Sequence, residues 1–268
     1  MNRPPGVALI TGASSGIGAI YADRLARRGH DLILVARNAS RLNAVAERIA
    51  GQTGRTVETI VANLSDREDL ANVERRLRTD ARIDTLVNNA GLGSTAPFLE
   101  ADVDRMSEMV ALNADALMRL TYAAAPGFVA RGGGAIINIA SIVAIAPEAL
   151  NGVYGATKAF VVALSQSLHH ELSERNVRVQ AVLPGATETD FWEIAGKPVS
   201  QLPSAMVMTA ADMVDAALVG FDLGERVTIP ALPDAGAWQA YEDARQAMRP
   251  NLSRSEPALR YRADAKAA

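Results

Sequence analysis

The chain has no cysteine. That excludes disulfides and thiolate metal sites, and it fits a reducing compartment such as the cytoplasm. Histidine is almost as scarce. His30, His169 and His170 are the only three, and none pairs at the i, i+4 spacing of a helical metal site, so no metal centre is expected. A basic excess is also missing: the formal charge is -3, which argues against a protein dedicated to nucleic acid. No apolar run is long enough to span a bilayer, and Met1-Asn2-Arg3-Pro4-Pro5 resembles no signal peptide. Internal repeats and low-complexity linkers are absent too. The 268 residues, 49% of them hydrophobic, are therefore expected to form one large domain over 1–250 with a polar, Arg-rich tail over 251–268.

What is present begins with Val7-Ala8-Leu9-Ile10-Thr11-Gly12-Ala13-Ser14-Ser15-Gly16-Ile17-Gly18, a short apolar run that breaks into a turn with three glycines. Ile17, Ile20, Tyr21 and Leu25 then recur at helical spacing up to a stop at Gly29. In a strand–turn–helix, glycines let a ligand approach the main chain, and the N–H groups opening the helix suit a phosphate. Tight strand–helix packing alone would also explain them. The spacing Gly-x-x-x-Gly-x-Gly differs from the commoner Gly-x-Gly-x-x-Gly dinucleotide signature, so further support has to come from elsewhere in the chain.

The alternation continues. Strands are predicted at 31–36, 56–61, 85–87, 135–140, 177–182 and 226–230. Helices are predicted from Ser40 as N-cap to Gly51, over 66–77, over 103–129 with a break near Pro126, over 154–174 and over 210–221. Near-continuous apolar strands alternating with helices predict an α/β fold, a Rossmann-like doubly wound parallel sheet of about seven strands with helices on both faces. Ligands of such sheets bind beyond the carboxyl ends of the strands, where the strand order reverses. The small or polar clusters at 12–18, 36–37, 63, 88–91, 141 and 184–189 all follow strands at that end.

Tyr154 and Lys158 sit one helical turn apart, so both can reach one ligand. An ammonium beside a phenol favours the phenolate and is expected to lower its pKa toward the working range. Ser141, ending a strand, can donate to a carbonyl oxygen acquiring negative charge.

Thr11-Gly12-x-x-x-Gly16-x-Gly18, Asn88-Asn89-Ala90-Gly91, Asn113, Ser141, Tyr154-x-x-x-Lys158 and Pro184-Gly185 occur in this order in one chain. The pattern closely resembles the short-chain dehydrogenase/reductase family over residues 6–230. The resemblance implies a hydride-transferring oxidoreductase acting on a carbonyl or secondary alcohol, with Tyr154 as general acid or base. Lys158 would tune Tyr154 and hold the nicotinamide ribose, Ser141 would polarise the substrate, and Asn113 would hold a water in a proton relay to Lys158. Implied cofactor contacts are Gly12, Ser14, Ser15, Gly16, Ile17, Gly18, Arg37, Asn63, Leu64, Asn89, Ala90, Gly91, Pro184, Gly185, Thr187 and Thr189, together with Tyr154 and Lys158. Asn63-Leu64 departs from the family's usual Asp at that position. Asparagine both donates and accepts there, so binding should survive.

NAD-preferring relatives end the second strand with an acid; here Ala36 is followed by Arg37, with Arg41 one helical turn on. A missing carboxylate and a guanidinium able to grip a 2′-phosphate favour NADP(H) over NAD(H). A substrate lid is expected over 187–208, where Phe191 and Trp192 either cap the crevice or pack beneath it. Apolar walls at Ile142, Val143, Ile145, Pro147 and Leu150, without a cationic cluster, favour a neutral ketone, aldehyde or alcohol. By resemblance, the helices at 103–129 and 154–174 would form a homodimer or homotetramer interface. A non-catalytic NADP(H)-binding sensor or scaffold is the alternative, against which the complete Asn113, Ser141, Tyr154 and Lys158 set speaks. An epimerase of the same family would need a larger segment after Thr189.

Overall fold

The computed structural model describes residues 5–262. Strands β1 (Val7–Thr11), β2 (Asp31–Ala36), β3 (Val57–Val61), β4 (Ile83–Asn88), β5 (Gly134–Ile139) and β6 (Val177–Val182) pair in parallel with β9 (Val227–Thr228). The strand order is β3-β2-β1-β4-β5-β6-β9. This is the predicted seven-stranded parallel sheet, and its order reverses between β1 and β4. Alternate strand residues feed opposite faces. Leu9, Ile33 and Val35 pack with Leu70, Met109 and Leu120 on one side. Ala8, Ile10, Leu32 and Leu34 pack with Tyr21, Leu42 and Leu218 on the other.

The helices are α1 (Gly16–Arg27), α2 (Ala39–Thr53), α3 (Arg67–Thr79), α4 (Val103–Val110), α5 (Leu117–Ala130), α6 (Gly152–Leu172), α7 (Phe191–Ile194), α8 (Ala210–Asp222) and α9 (Ala235–Ala247). A short parallel pair, β7 (Thr187–Glu188) and β8 (Met208–Thr209), brackets the stretch expected to form the lid. Several boundaries differ from the sequence expectation, three of them with a visible cause. Asn38, not Ser40, caps α2 by accepting from the Arg41 N–H, and the helix runs past Gly51 to a left-handed stop at Gly54. The expected single helix over 103–129 is broken not at Pro126 but at a π-helical segment, Ala111–Ala116. Proline inside α5 is tolerated because the residue one turn earlier, Tyr122, is 74% exposed, so the backbone carbonyl that loses its partner can turn to water.

The packing divides after Pro230 into two compact units, where the sequence reading set its boundary at 250. The first holds the whole sheet. The second contains α9, a helix not anticipated from the sequence, capped by Asp234 and carrying stacked Trp238 and Tyr241 rings 5.1 Å apart. The readings at Met1–Pro4 and over 263–268 of the tail lie outside the described residues.

Candidate active site

Thr11 ends β1 with its hydroxyl oxygen accepting from the Asn89 and Ala90 N–H groups, both at 3.0 Å. The Asn89 side-chain amide returns two bonds, to the Thr11 carbonyl at 2.9 Å and the Gly12 carbonyl at 3.2 Å. This clamp joins the glycine turn to the β4 loop across the point where the strand order reverses. Gly12 and Gly16 take φ of +66° and +52°, open to glycine without strain. Gly18 serves packing instead: a Cβ there would lie 2.4 Å from the Gly12 carbonyl oxygen. The α1 N-cap Ser15 makes no side-chain bond to the helix, which leaves the first-turn N–H groups facing the crevice.

One cavity of about 550 Å³ follows this end of the sheet, within the size range of small-molecule sites. Its walls carry Gly12, Ser14, Ser15, Gly16, Ile17, Arg37, Asn63, Leu64, Asn89, Ala90, Gly91, Ser141, Tyr154, Lys158, Pro184, Gly185, Thr187 and Thr189. Of the expected site residues, only Gly18 and Asn113 stand behind the wall. The Asn63 carboxamide oxygen accepts from the Ser65 N–H at 3.2 Å. Thr189 crosses the glycine turn, its methyl 3.0 Å from where a Gly16 Cβ would lie. Arg37 is exposed and, among the described residues, makes no ion pair; Arg41 instead pairs with Asp190 at 2.9 Å.

Asn113 lies in the π segment, where one extra residue per turn aims its side chain at the β4 loop. Its oxygen accepts from the Leu92 N–H at 2.8 Å, and its amide donates to the Leu92 carbonyl at 2.8 Å and the Thr157 hydroxyl at 3.1 Å. Both amide hydrogens are thereby committed to protein partners. The side chain fixes the loop against α6.

Asn151 caps α6, accepting from the Val153 and Tyr154 N–H groups at 2.9 and 3.3 Å while donating to the Ala96 carbonyl at 2.8 Å. The Ser141 hydroxyl donates to the Pro184 carbonyl at 3.5 Å and lies beside the Tyr154 phenol in the cavity wall. The Lys158 ammonium donates to the Ile139 carbonyl at 2.8 Å and sits 5.8 Å from the centre of the Tyr154 ring. Tyr154 and Lys158 are 6% and 5% exposed. Burial pushes the Tyr154 phenol up to about 12, with the neighbouring Ser141 hydroxyl acting the other way. Burial also draws Lys158 down to about 8. The sequence reading expected a lowered phenol. Here the loss of phenolate hydration dominates, and the ammonium bonds a backbone carbonyl rather than the phenol.

Phe191 and Trp192 both line the cavity. Trp192 is buried, its indole donating to the Thr187 carbonyl at 3.0 Å. Phe191 lines the cavity, its ring 5.6 Å from that of Tyr154. Leu92, Leu112, Leu202, Pro203 and Met206 extend the apolar wall, and Lys197 adds one cation there. Sequence reasoning missed Thr11 as a clamp and Asn151 as a cap. The second had a readable signal, an Asn just before an apolar helical run.

A sequence model of the family described as short chain dehydrogenase matches residues 6–198. A short-chain dehydrogenase from Sphingobium yanoikuyae, solved in complex with NADPH, is 51% identical with a TM-score of 0.93, over 96% of this chain and 100% of that one. The bulky-bulky ketone specific alcohol dehydrogenase from Comamonas testosteroni is 45% identical with a TM-score of 0.88, over 97% and 99%. The very-long-chain 3-oxoacyl-CoA reductase of Anas platyrhynchos is 35% identical over 201 residues, 74% of this chain but 64% of that protein's length.

Proposed function

This chain belongs to the short-chain dehydrogenase family of NAD(P)-binding oxidoreductases, and we propose that it is an NADP(H)-dependent reductase of neutral ketones, reversible toward secondary alcohols. The observation that carries this is the buried cluster at one end of the cavity: Ser141 and Lys158 gathered around Tyr154, with the Lys158 ammonium 5.8 Å from the centre of its ring.

The cavity residues fit a dinucleotide. Uncapped N–H groups at the start of α1 suit a pyrophosphate, and an exposed Arg37 suits a 2′-phosphate. The glycine turn, Asn63, Leu64, Asn89, Ala90 and the 184–189 segment would hold the remainder. When bound, the cofactor supplies or accepts the hydride. The chain's own groups manage the proton. A phenol raised to about 12 stays protonated at neutral pH, the form a general acid needs when a carbonyl oxygen becomes an alcohol. Ser141 orients that oxygen and shares the developing charge. Lys158, cationic below about 8, favours the phenolate left after proton transfer. Asn113 and Asn151 are positioning residues that hold the β4 loop and the start of α6.

The apolar far wall favours substrates with large uncharged groups on both sides of the carbonyl. The Comamonas testosteroni relative, described as specific for bulky-bulky ketones, supports that reading. Among the described residues no helix is long and apolar enough to cross a membrane, and we place the enzyme in the cytoplasm, where a cysteine-free chain loses nothing. Exposed apolar side chains on α4 to α6 (Val103, Met118, Tyr122, Phe160) fit a homodimer or homotetramer, which light scattering in solution would resolve.

Loss of nicotinamide absorbance with purified protein tests the function, using NADPH and NADH over neutral ketones of graded bulk. Turnover with NADPH well above NADH is expected. Tight NADPH binding without turnover of any ketone or aldehyde would replace the enzyme reading with that of a sensor.

A further inference from the structure

We infer that Phe191, seated in a notch that only a glycine at position 93 leaves open, sets the size limit of the substrate pocket beside Tyr154. This rests on the ketone reductase reading above.

Helix α7 has four residues and cannot hold its own conformation. It is held by its surroundings. The Trp192 indole anchors to the Thr187 carbonyl at 3.0 Å, and the Ala195 carbonyl accepts from both the Thr95 N–H at 3.0 Å and its hydroxyl at 2.9 Å. Between these two anchors the Phe191 ring leans on Tyr154 at 5.6 Å and 41° and meets Trp192 edge-on at 5.7 Å. On its other side is Gly93. A Cβ there would lie 2.1 Å from the ring's Cζ and 2.4 Å from a Cε, distances no methyl group can occupy. The 93–96 loop is also tied to the catalytic helix, since Asn151 caps α6 and donates to the Ala96 carbonyl. One loop therefore fixes both the tyrosine's helix and the ring that covers the tyrosine. A carbonyl presented to the Tyr154 hydroxyl must place one substituent against the Phe191 ring.

The test compares Phe191→Ala, Gly93→Ala and the double variant, using acetophenone and benzophenone with NADPH. Each is also made in a Trp238→Phe background, in which Trp192 is the single tryptophan. Phe191→Ala should raise the kcat/KM ratio for benzophenone over acetophenone about tenfold, the scale of a remodelled apolar contact. Gly93→Ala should lower kcat/KM for both ketones and increase acrylamide quenching of Trp192, as the evicted ring drags α7 outward. In the double variant the new methyl has no ring to meet, so both readouts should return to those of Phe191→Ala alone. Losses that simply add in the double variant would overturn the seat, and an unchanged ketone ratio in Phe191→Ala would overturn the size limit. If no variant reduces any ketone, the reductase reading falls and the size limit with it. The quenching comparison still decides the seat.

Discussion

At the end of the crevice that carries Tyr154, Asn113, Ser141 and Lys158 are buried along with it, and each is bonded to another protein group. At the other end Arg37, Asn38, Arg41 and Asn63 are exposed, and among the described residues the only ion pair they make, Arg41 with Asp190, lies in solvent. Charges interact more strongly where water is excluded, and geometry held by several bonds cannot relax when one group is lost. The buried end can therefore hold a phenol and an ammonium away from their ordinary ionisation. The exposed end can discriminate only by charge, and salt weakens it. The two ends share one lid: Asp190 reaches the arginine side, and Phe191, the next residue, reaches the tyrosine.

Substitutions should fall in that order of severity. Tyr154→Phe removes the proton donor but keeps the ring that packs on Phe191. It should cost about 10²- to 10⁴-fold in kcat while leaving NADPH binding, read by fluorescence, within about twofold. Residual turnover above a tenth of the parent would remove Tyr154 from the mechanism.

The pH profile follows from Lys158. With its folded-state ionisation near 8, its charge is complete below that pH and lost above it. Ketone reduction should be flat from pH 6 to about 7.5 and decline above 8, whereas alcohol oxidation, which needs the phenolate, should rise relative to reduction. A reduction profile level to pH 10 would contradict this assignment.

At the exposed end, Arg37→Asp should raise the KM for NADPH about tenfold or more while hardly moving that for NADH, a gap that narrows as salt is added. Equal changes for the two cofactors would mean that Arg37 does not contact the 2′-phosphate. Asp190→Asn is the mildest. It releases Arg41 from an exposed ion pair worth little, so the KM for NADPH should fall by at most about fivefold. An increase instead would show that the pair supports the lid more than it competes for the arginine.

The seven strands, the two helical layers and the crevice at the strand ends were legible because β1, β2 and β5 are largely apolar runs and the strands are flanked by glycine or polar breaks. The glycine turn and the Tyr154–Lys158 pair were legible for a similar reason: their spacing is local, and local geometry follows from helix and turn rules. The α2 ends were misread because Asn38 and Ser40 are both competent caps and Gly51 and Gly54 both competent stops, so neighbouring context chose between them. The π segment at 111–116 left no periodic trace at all, because the bonds from Asn113 to Leu92 and Thr157 accompany the irregularity and join residues 21 and 44 positions apart.

By itself, then, the sequence determined the sheet, the order of its strands along the chain and the residues that arrive at the crevice, since these follow from hydrophobic period and turn chemistry. Tertiary structure alone decided that Asn113 props the β4 loop, that burial raises Tyr154 instead of Lys158 lowering it, and that Phe191 rests in the space left by Gly93. Each of these depends on which atoms displace water around a group, and that is settled by chain segments far apart in sequence.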